Sequence, residues 1–153
     1  MNAARLGGMG GRDADVTREI DRDVCKLVHS FTRRLDVHVR RAAEDLGLTP
    51  TQVIALRELS EPVTARELAV RMSCEPSNVT FVVDRLEAQG LVERTPHPTD
   101  RRAKRLELTA AGQRSRDAVL TRLASGSPLT RLGVAQQREL RELLRLLVAS
   151  EDP

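Results

Sequence analysis

Residues 49–90 carry helix start and stop signals at spacings that leave the chain little choice of fold. "TPTQ", Thr49 to Gln52, is a capping box with proline at the first helical position, and "TARE", Thr64 to Glu67, is a second box. In each, the threonine hydroxyl accepts from the amide three residues on, while the Gln or Glu side chain returns to the threonine amide. The boxes predict helices running to about Leu59 and about Met72, separated by Pro62, with Pro62-Val63 available as a stub of strand. After the break "SCE", Pro76 opens a third helix that runs to Gln89 and is stopped by Gly90. Two short strands follow at once, 91–94 and 103–108, the second alternating Lys104, Leu106 and Leu108 against Arg105 and Glu107. Helix, short turn, helix and then hairpin is the order of a winged helix-turn-helix.

The flanks are helical. Ile20, Val24, Leu27, Phe31, Leu35, Val39, Ala42 and Leu46 recur every three or four positions and predict one helix over 18–46, ended by Gly47. At ~1.5 Å per residue it is on the order of 40 Å long, which is long for a small domain. Thr109 caps a helix to about Ala124, "SGSP" breaks the chain, and "VAQQRELRELLRLLVAS" forms a last, leucine-rich helix. The fold class is therefore mainly α with a small β-hairpin wing. The expected partition is a disordered, Gly-rich tail over 1–16, a long helix over 17–48, a winged helix-turn-helix over 49–109 and C-terminal helices over 110–153.

Charge matters here through placement. The net charge is only +3, and residues 49–108 hold nine Lys/Arg against nine Asp/Glu. Yet Arg101, Arg102, Lys104 and Arg105 crowd the hairpin loop, and local potential acts within about a Debye length, roughly 10 Å. A wing so charged suits a minor groove or a phosphate backbone. Arg102, with Arg101, is expected to be the main contact. Lys104 and Arg105 point opposite ways along the strand, so at most one faces DNA. Asp100 is expected to hold a wing arginine, or Arg94, in place.

On the Pro76 helix, set Val79 at zero and advance about 100° per residue. Val79, Val82, Val83 and Leu86 then share the core side, Ser77, Phe81, Asp84 and Ala88 point away from it, and Asn78, Thr80 and Arg85 occupy the shoulders. Asn pairs with adenine, Ser and Thr take bases or phosphates, and Arg takes guanine or phosphate, so this face has the chemistry of a major-groove reader. Phe81, a large ring on the polar face, needs a contact, either a thymine methyl or a neighbouring element. Amides near Pro76 and Ser77 suit a phosphate.

"LTPTQVIALREL", "TARELAVRM", "EPSNVTFVVDRLEAQGLVER" and "PTDRRAKRLELTAAG" together resemble the MarR family of bacterial transcriptional regulators, over residues 20 to 150. The resemblance implies a homodimer, usually a repressor, bound to double-stranded DNA at a pseudo-palindromic operator. It also implies that the first and last helices interlock between subunits. By position it places Ser77, Asn78 and Thr80 at bases or nearby phosphates, Arg85 at the backbone, and Arg101 and Arg102 in the wing. It further implies release by a small aromatic or anionic ligand. Two positions depart from the family pattern: Phe81 stands where a small residue or Pro is common, and the turn "SCE" lacks a glycine.

Cys25 resembles in position the reactive cysteine of the family's organic-peroxide sensors, which makes a thiol-based sensor using Cys25, with His29 one turn on, an alternative reading. Those sensors depend on tyrosines, and this sequence has none; Asp21 and Asp23 also disfavour a thiolate. Cys25 reads more readily as buried or inert, Cys74 as a small packing residue, and His29, His38, Arg40 and Arg41 as solvated helix positions. A winged-helix module for protein contact, without DNA, is a further alternative that Phe81 supports.

Neither metal-ligand spacing, cofactor fingerprint, nucleophile elbow nor phosphate loop occurs, so neither an enzyme nor a cofactor is expected. Without a run of about 20 apolar residues or a signal-peptide core, no membrane association is expected and the location is cytoplasmic.

Overall fold

A computed structural model describes residues 9–100 and 102–149. The chain divides between Val37 and His38 into two compact units. One continuous helix, α1 (Met9–Leu46), supplies all of the described first unit and opens the second. It starts at Met9, inside the segment expected as tail. Once the apolar repeat begins, the preceding polar residues continue the helix at little cost, and periodicity carries no signal for them. Residues 1–8 of the expected tail lie outside the described residues.

The second unit holds α2 (Pro50–Glu58), β1 (Val63–Thr64), α3 (Ala65–Arg71), α4 (Pro76–Ala88), β2 (Val92–Pro96), β3 (Lys104–Leu108), α5 (Ala110–Ala124), a turn of 3-10 helix (Pro128–Arg131) and α6 (Val134–Val148). Both capping boxes form. The Thr49 hydroxyl accepts from the Gln52 amide at 3.3 Å while Gln52 Oε1 accepts from the Thr49 amide at 2.9 Å. Thr64 and Glu67 repeat the exchange at 3.2 and 2.6 Å. The Thr64 amide and then its hydroxyl, donating to Glu67, hold that carboxyl below the usual carboxylate range. The lowered value means that this cap's contribution is present near neutral pH and fades as pH falls through the folded-state pKa.

Gly47 and Gly90 take the left-handed conformation that ends α1 and α4, at φ +64° and +69°. The turn between α3 and α4 has no glycine, and Ser73 adopts that conformation instead, at φ 50°. A non-glycine residue there carries a steric cost. Ser73→Gly is therefore expected to raise stability by about 0.5–1 kcal/mol, read as a higher urea midpoint with an unchanged slope. A lower midpoint would mean that the hydroxyl outweighs the backbone cost.

The three strands form an antiparallel sheet in the order β1-β3-β2, with Val63 opposite Leu106 on one side and Arg94 opposite Leu106 on the other. Leu56, Leu68, Val79, Val83, Leu86, Val92, Leu106 and Val119 bury fully against one another, so α2, α3, α4, α5 and the sheet share one core. Cys74 is partly buried against it, as expected of a packing residue. Buried Gln52 donates to the Gln89 side chain at 2.8 Å, tying α2 to the end of α4. At Gly112 an added Cβ would lie 1.8 Å from the Leu91 carbonyl oxygen, so the first turn of α5 can sit against the hairpin only with glycine. His38 is not a solvated position: its ring is half-buried, and Nε2 lies 2.8 Å from the Leu123 carbonyl, which it meets as donor.

Apolar residues stay uncovered in each unit. In α1, Val16, Ile20, Val24, Leu27 and Val28 are exposed. In α6 no residue is buried, and Leu146, Leu147 and Val148 are 77%, 73% and 76% exposed. Among the described residues, no helix is long and apolar enough to cross a membrane.

Candidate nucleic-acid interface

The core positions of α4 decide what its other side presents. With Val79, Val82, Val83 and Leu86 buried, Ser77, Asn78, Thr80, Phe81, Asp84 and Arg85 are left exposed, as the 3.6-residue period requires. Glu75 occupies the N-cap position without capping the helix from its side chain. The Thr80 hydroxyl donates to the Pro76 carbonyl at 3.3 Å, leaving its lone pairs to accept. Phe81 meets neither core nor neighbouring element as expected of a packing ring. It is 62% exposed, and the Arg85 guanidinium carbon lies 4.8 Å from its ring centroid.

Asp84 and Glu87 would put two carboxylates on this helix, but Arg94 on β2 reaches across and pairs with both. The Asp84 hydrogen bond, then the Glu87 charge, raise the Arg94 pKa further above its usual range against the opposing effect of burial. This fixes strand to helix and offsets one of the two negative charges on that part of α4. Arg94 thus supports the wing through α4, not through Asp100.

Asp100 has a different task from the expected one. Its carboxylate accepts from the Arg102 backbone amide at 2.9 Å, so it shapes the loop backbone and holds no described guanidinium. His97 does the same from the other side: Nδ1 accepts from the Asp100 amide at 3.1 Å and the Thr99 amide at 3.3 Å. Acceptance at Nδ1 requires a neutral ring with its proton on Nε2. These bonds and the Ala103 amide donating to the Asp100 carbonyl at 3.1 Å define the wing tip. Arg102 is exposed there, with no side-chain partner among the described residues. Arg101 lies outside the described residues. Of the alternating pair, Arg105 donates to the Pro62 carbonyl at 2.7 Å, tying β3 to the chain before β1, and Lys104 is the exposed one.

Sequence reasoning missed a groove of about 620 Å³ where α3 meets the start of α4, lined by Arg66, Val70, Ser73 and Asn78 among others. Arg66 and Val70 are exposed on α3, and a wheel drawn for that helix would have set both off its buried face. Cys25 and His29 are both exposed, so Cys25 is not a buried thiol.

A helix pair joined by a short turn, followed by a hairpin whose strand is pinned to the second helix, defines a winged helix-turn-helix. A sequence profile of the MarR family matches residues 48–104. The chain is 34% identical over 102 residues to the HTH-type transcriptional regulator YsmB of Bacillus subtilis strain 168, covering 65% of this chain and 70% of that one. It is 32% identical over 100 residues to the HTH-type transcriptional repressor MdtR of the same organism, covering 64% of each, less than two thirds of the repressor's own length. CouR from Rhodococcus jostii RHA1, solved bound to p-coumaroyl-CoA, is 27% identical with a TM-score of 0.76, over 86% of this chain and 96% of that one. This chain belongs to the MarR family, a family of transcriptional regulators.

Proposed function

We propose that this chain is a homodimeric, sequence-specific DNA-binding regulator, a repressor that releases its operator when a small aromatic or anionic ligand binds, and that it works in the cytoplasm. The observation that carries the DNA reading is the Arg94 clamp. By pairing with both Asp84 and Glu87 it offsets one of their two charges and holds both carboxylates toward β2, leaving hydroxyls, an amide, a ring and a cation free on the exposed side of α4, and it ties the basic wing to that helix. Ser77, Asn78, Thr80, Phe81 and Arg85 enter the major groove; Arg102, Lys104 and Arg101 meet the minor groove or backbone.

Dimerisation rests on the uncovered stripes of α1 and α6. Burying each of these aliphatic side chains is worth about 1.5–3 kcal/mol, and contiguous apolar patches of this kind mark interfaces. A twofold pair sets two α4 helices to successive turns of a duplex, which matches a pseudo-palindromic site. The ligand class follows the relative solved with an acyl-CoA. Thiol sensing has less behind it: Cys25 is accessible, but no tyrosine exists to support it.

Gel shifts on DNA recovered from its own genome test the reading. Arg102→Ala is expected to weaken operator binding about tenfold and to flatten the salt dependence, because one phosphate or groove contact no longer releases its counterions. Unchanged affinity would remove the wing from the interface. No DNA bound at any site would favour the protein-contact module.

A further inference from the structure

We infer that Phe81 and Arg85 act as one base-reading unit, taking a guanine through Arg85 and the methyl group of a thymine one or two base pairs away through Phe81. This rests on the DNA-binding reading above and replaces the expectation that Arg85 meets the backbone.

A guanidinium stacked on a ring uses its π face and keeps its in-plane N–H groups for hydrogen bonding. The Arg85 guanidinium makes no hydrogen bond or ion pair with the described residues, so its whole fork is available. Asp84, the acid next to it in the sequence, is held by Arg94. The stack also sets direction. On the wheel Arg85 leaves the helix about 120° from Val79, on the shoulder facing a phosphate strand, whereas Phe81 leaves about 160° away, nearly opposite the core. Resting at 4.8 Å from the ring centroid draws the guanidinium from the shoulder toward the outermost line of the helix, where base edges lie. A fork held in that line matches guanine O6 and N7 bidentately, and less rotamer freedom is lost on binding.

Phe81 itself is 62% exposed, one of only two aromatics in the chain. With Arg85 over its ring, the remaining apolar surface points outward. In a major groove the apolar group at that depth is the thymine C5-methyl. Residues four apart are separated by ~6 Å along a helix, and base pairs by ~3.4 Å, so the two contacts fall within one or two steps.

The operator is first selected from a random duplex library with the full chain. Wild type, Phe81→Ala and Phe81→Leu are then titrated against that operator, a version with 7-deazaguanine at the guanine, and one with uracil for the thymine. Wild type is expected to lose about tenfold on either analogue. For Phe81→Ala each analogue is expected to cost less than about threefold, because the fork is no longer held and the methyl contact is gone. Phe81→Leu keeps an apolar contact without the stack, so the uracil penalty survives while the deazaguanine penalty shrinks. Phe81 lies outside the core, and equal melting of the three proteins verifies that folding is unaffected. Equal analogue penalties in all three overturn the inference, as does a selected operator without guanine. If Arg85→Ala weakens every duplex alike and lowers the salt slope by about one, Arg85 sits at a phosphate, and the inference falls while the regulator reading stands. If wild type enriches no sequence at all, both fall.

Discussion

Replacing Leu143 and Leu147 together by aspartate is expected to convert the protein to a monomer and to reduce its affinity for a complete operator by at least 100-fold. Both side chains are exposed on α6, 53% and 73%, and stand one turn apart on one face, so neither substitution opens the core of the second unit. What they remove is the surface proposed to pair. A charged group in an apolar interface has no partner and must be desolvated, whereas on a free helix it stays in water. Binding then falls because two half-sites no longer combine: linking two modules raises avidity by about 10²–10⁴ without any new contact. Sedimentation equilibrium gives the mass, circular dichroism the helix content, and anisotropy the affinity for a full and a half operator. Loss of the dimer with retained helix and unchanged half-site affinity is the expected pattern. A dimer that survives both aspartates would move the interface elsewhere.

The second large effect is electrostatic. Arg94→Ala is expected to weaken operator binding by roughly fivefold although Arg94 is assigned no contact with DNA. Its removal bares the carboxylates of Asp84 and Glu87 on the helix proposed to enter the groove. Two unit charges a few ångströms apart in a watery environment interact by about 1 kcal/mol, and the loss of one positive charge beside the two carboxylates therefore costs about 1 kcal/mol. Charge can be separated from wing position by adding Asp84→Asn and Glu87→Gln to Arg94→Ala. The triple variant, which removes a net negative charge, is expected to bind at least as tightly as wild type. Without recovery, Arg94 acts by placing the wing or by touching DNA itself.

The readable parts of this protein were those decided by local chemistry. Thr49 with Gln52, Thr64 with Glu67, Thr109, Gly47 and Gly90 sit where the helices begin and end, because a cap satisfies its own backbone within three or four residues. The buried side of α4 followed from its period alone. Other features are tertiary and leave no local trace. Arg94 finds Asp84 and Glu87 only once the hairpin folds back on α4, and Arg105 finds Pro62 only because β1 joins the sheet at β3. Asp100 was given a guanidinium to hold and His97 went unread, because a turn that consumes backbone amides looks, in sequence, like any polar loop. Ser73 shows the limit of residue rules: the turn needed a left-handed residue and took one without a glycine. The Phe81–Arg85 stack is the exception, since a ring and a cation four apart on a helix are visible beforehand.

Native mass spectrometry of the full chain with its selected operator asks most directly whether a matched pair of α4 helices and wings reads one duplex. Two chains on each duplex, with complexes of one chain scarce at every ratio, is the predicted spectrum. One chain per duplex, or equal loading of unrelated sequences, would contradict it.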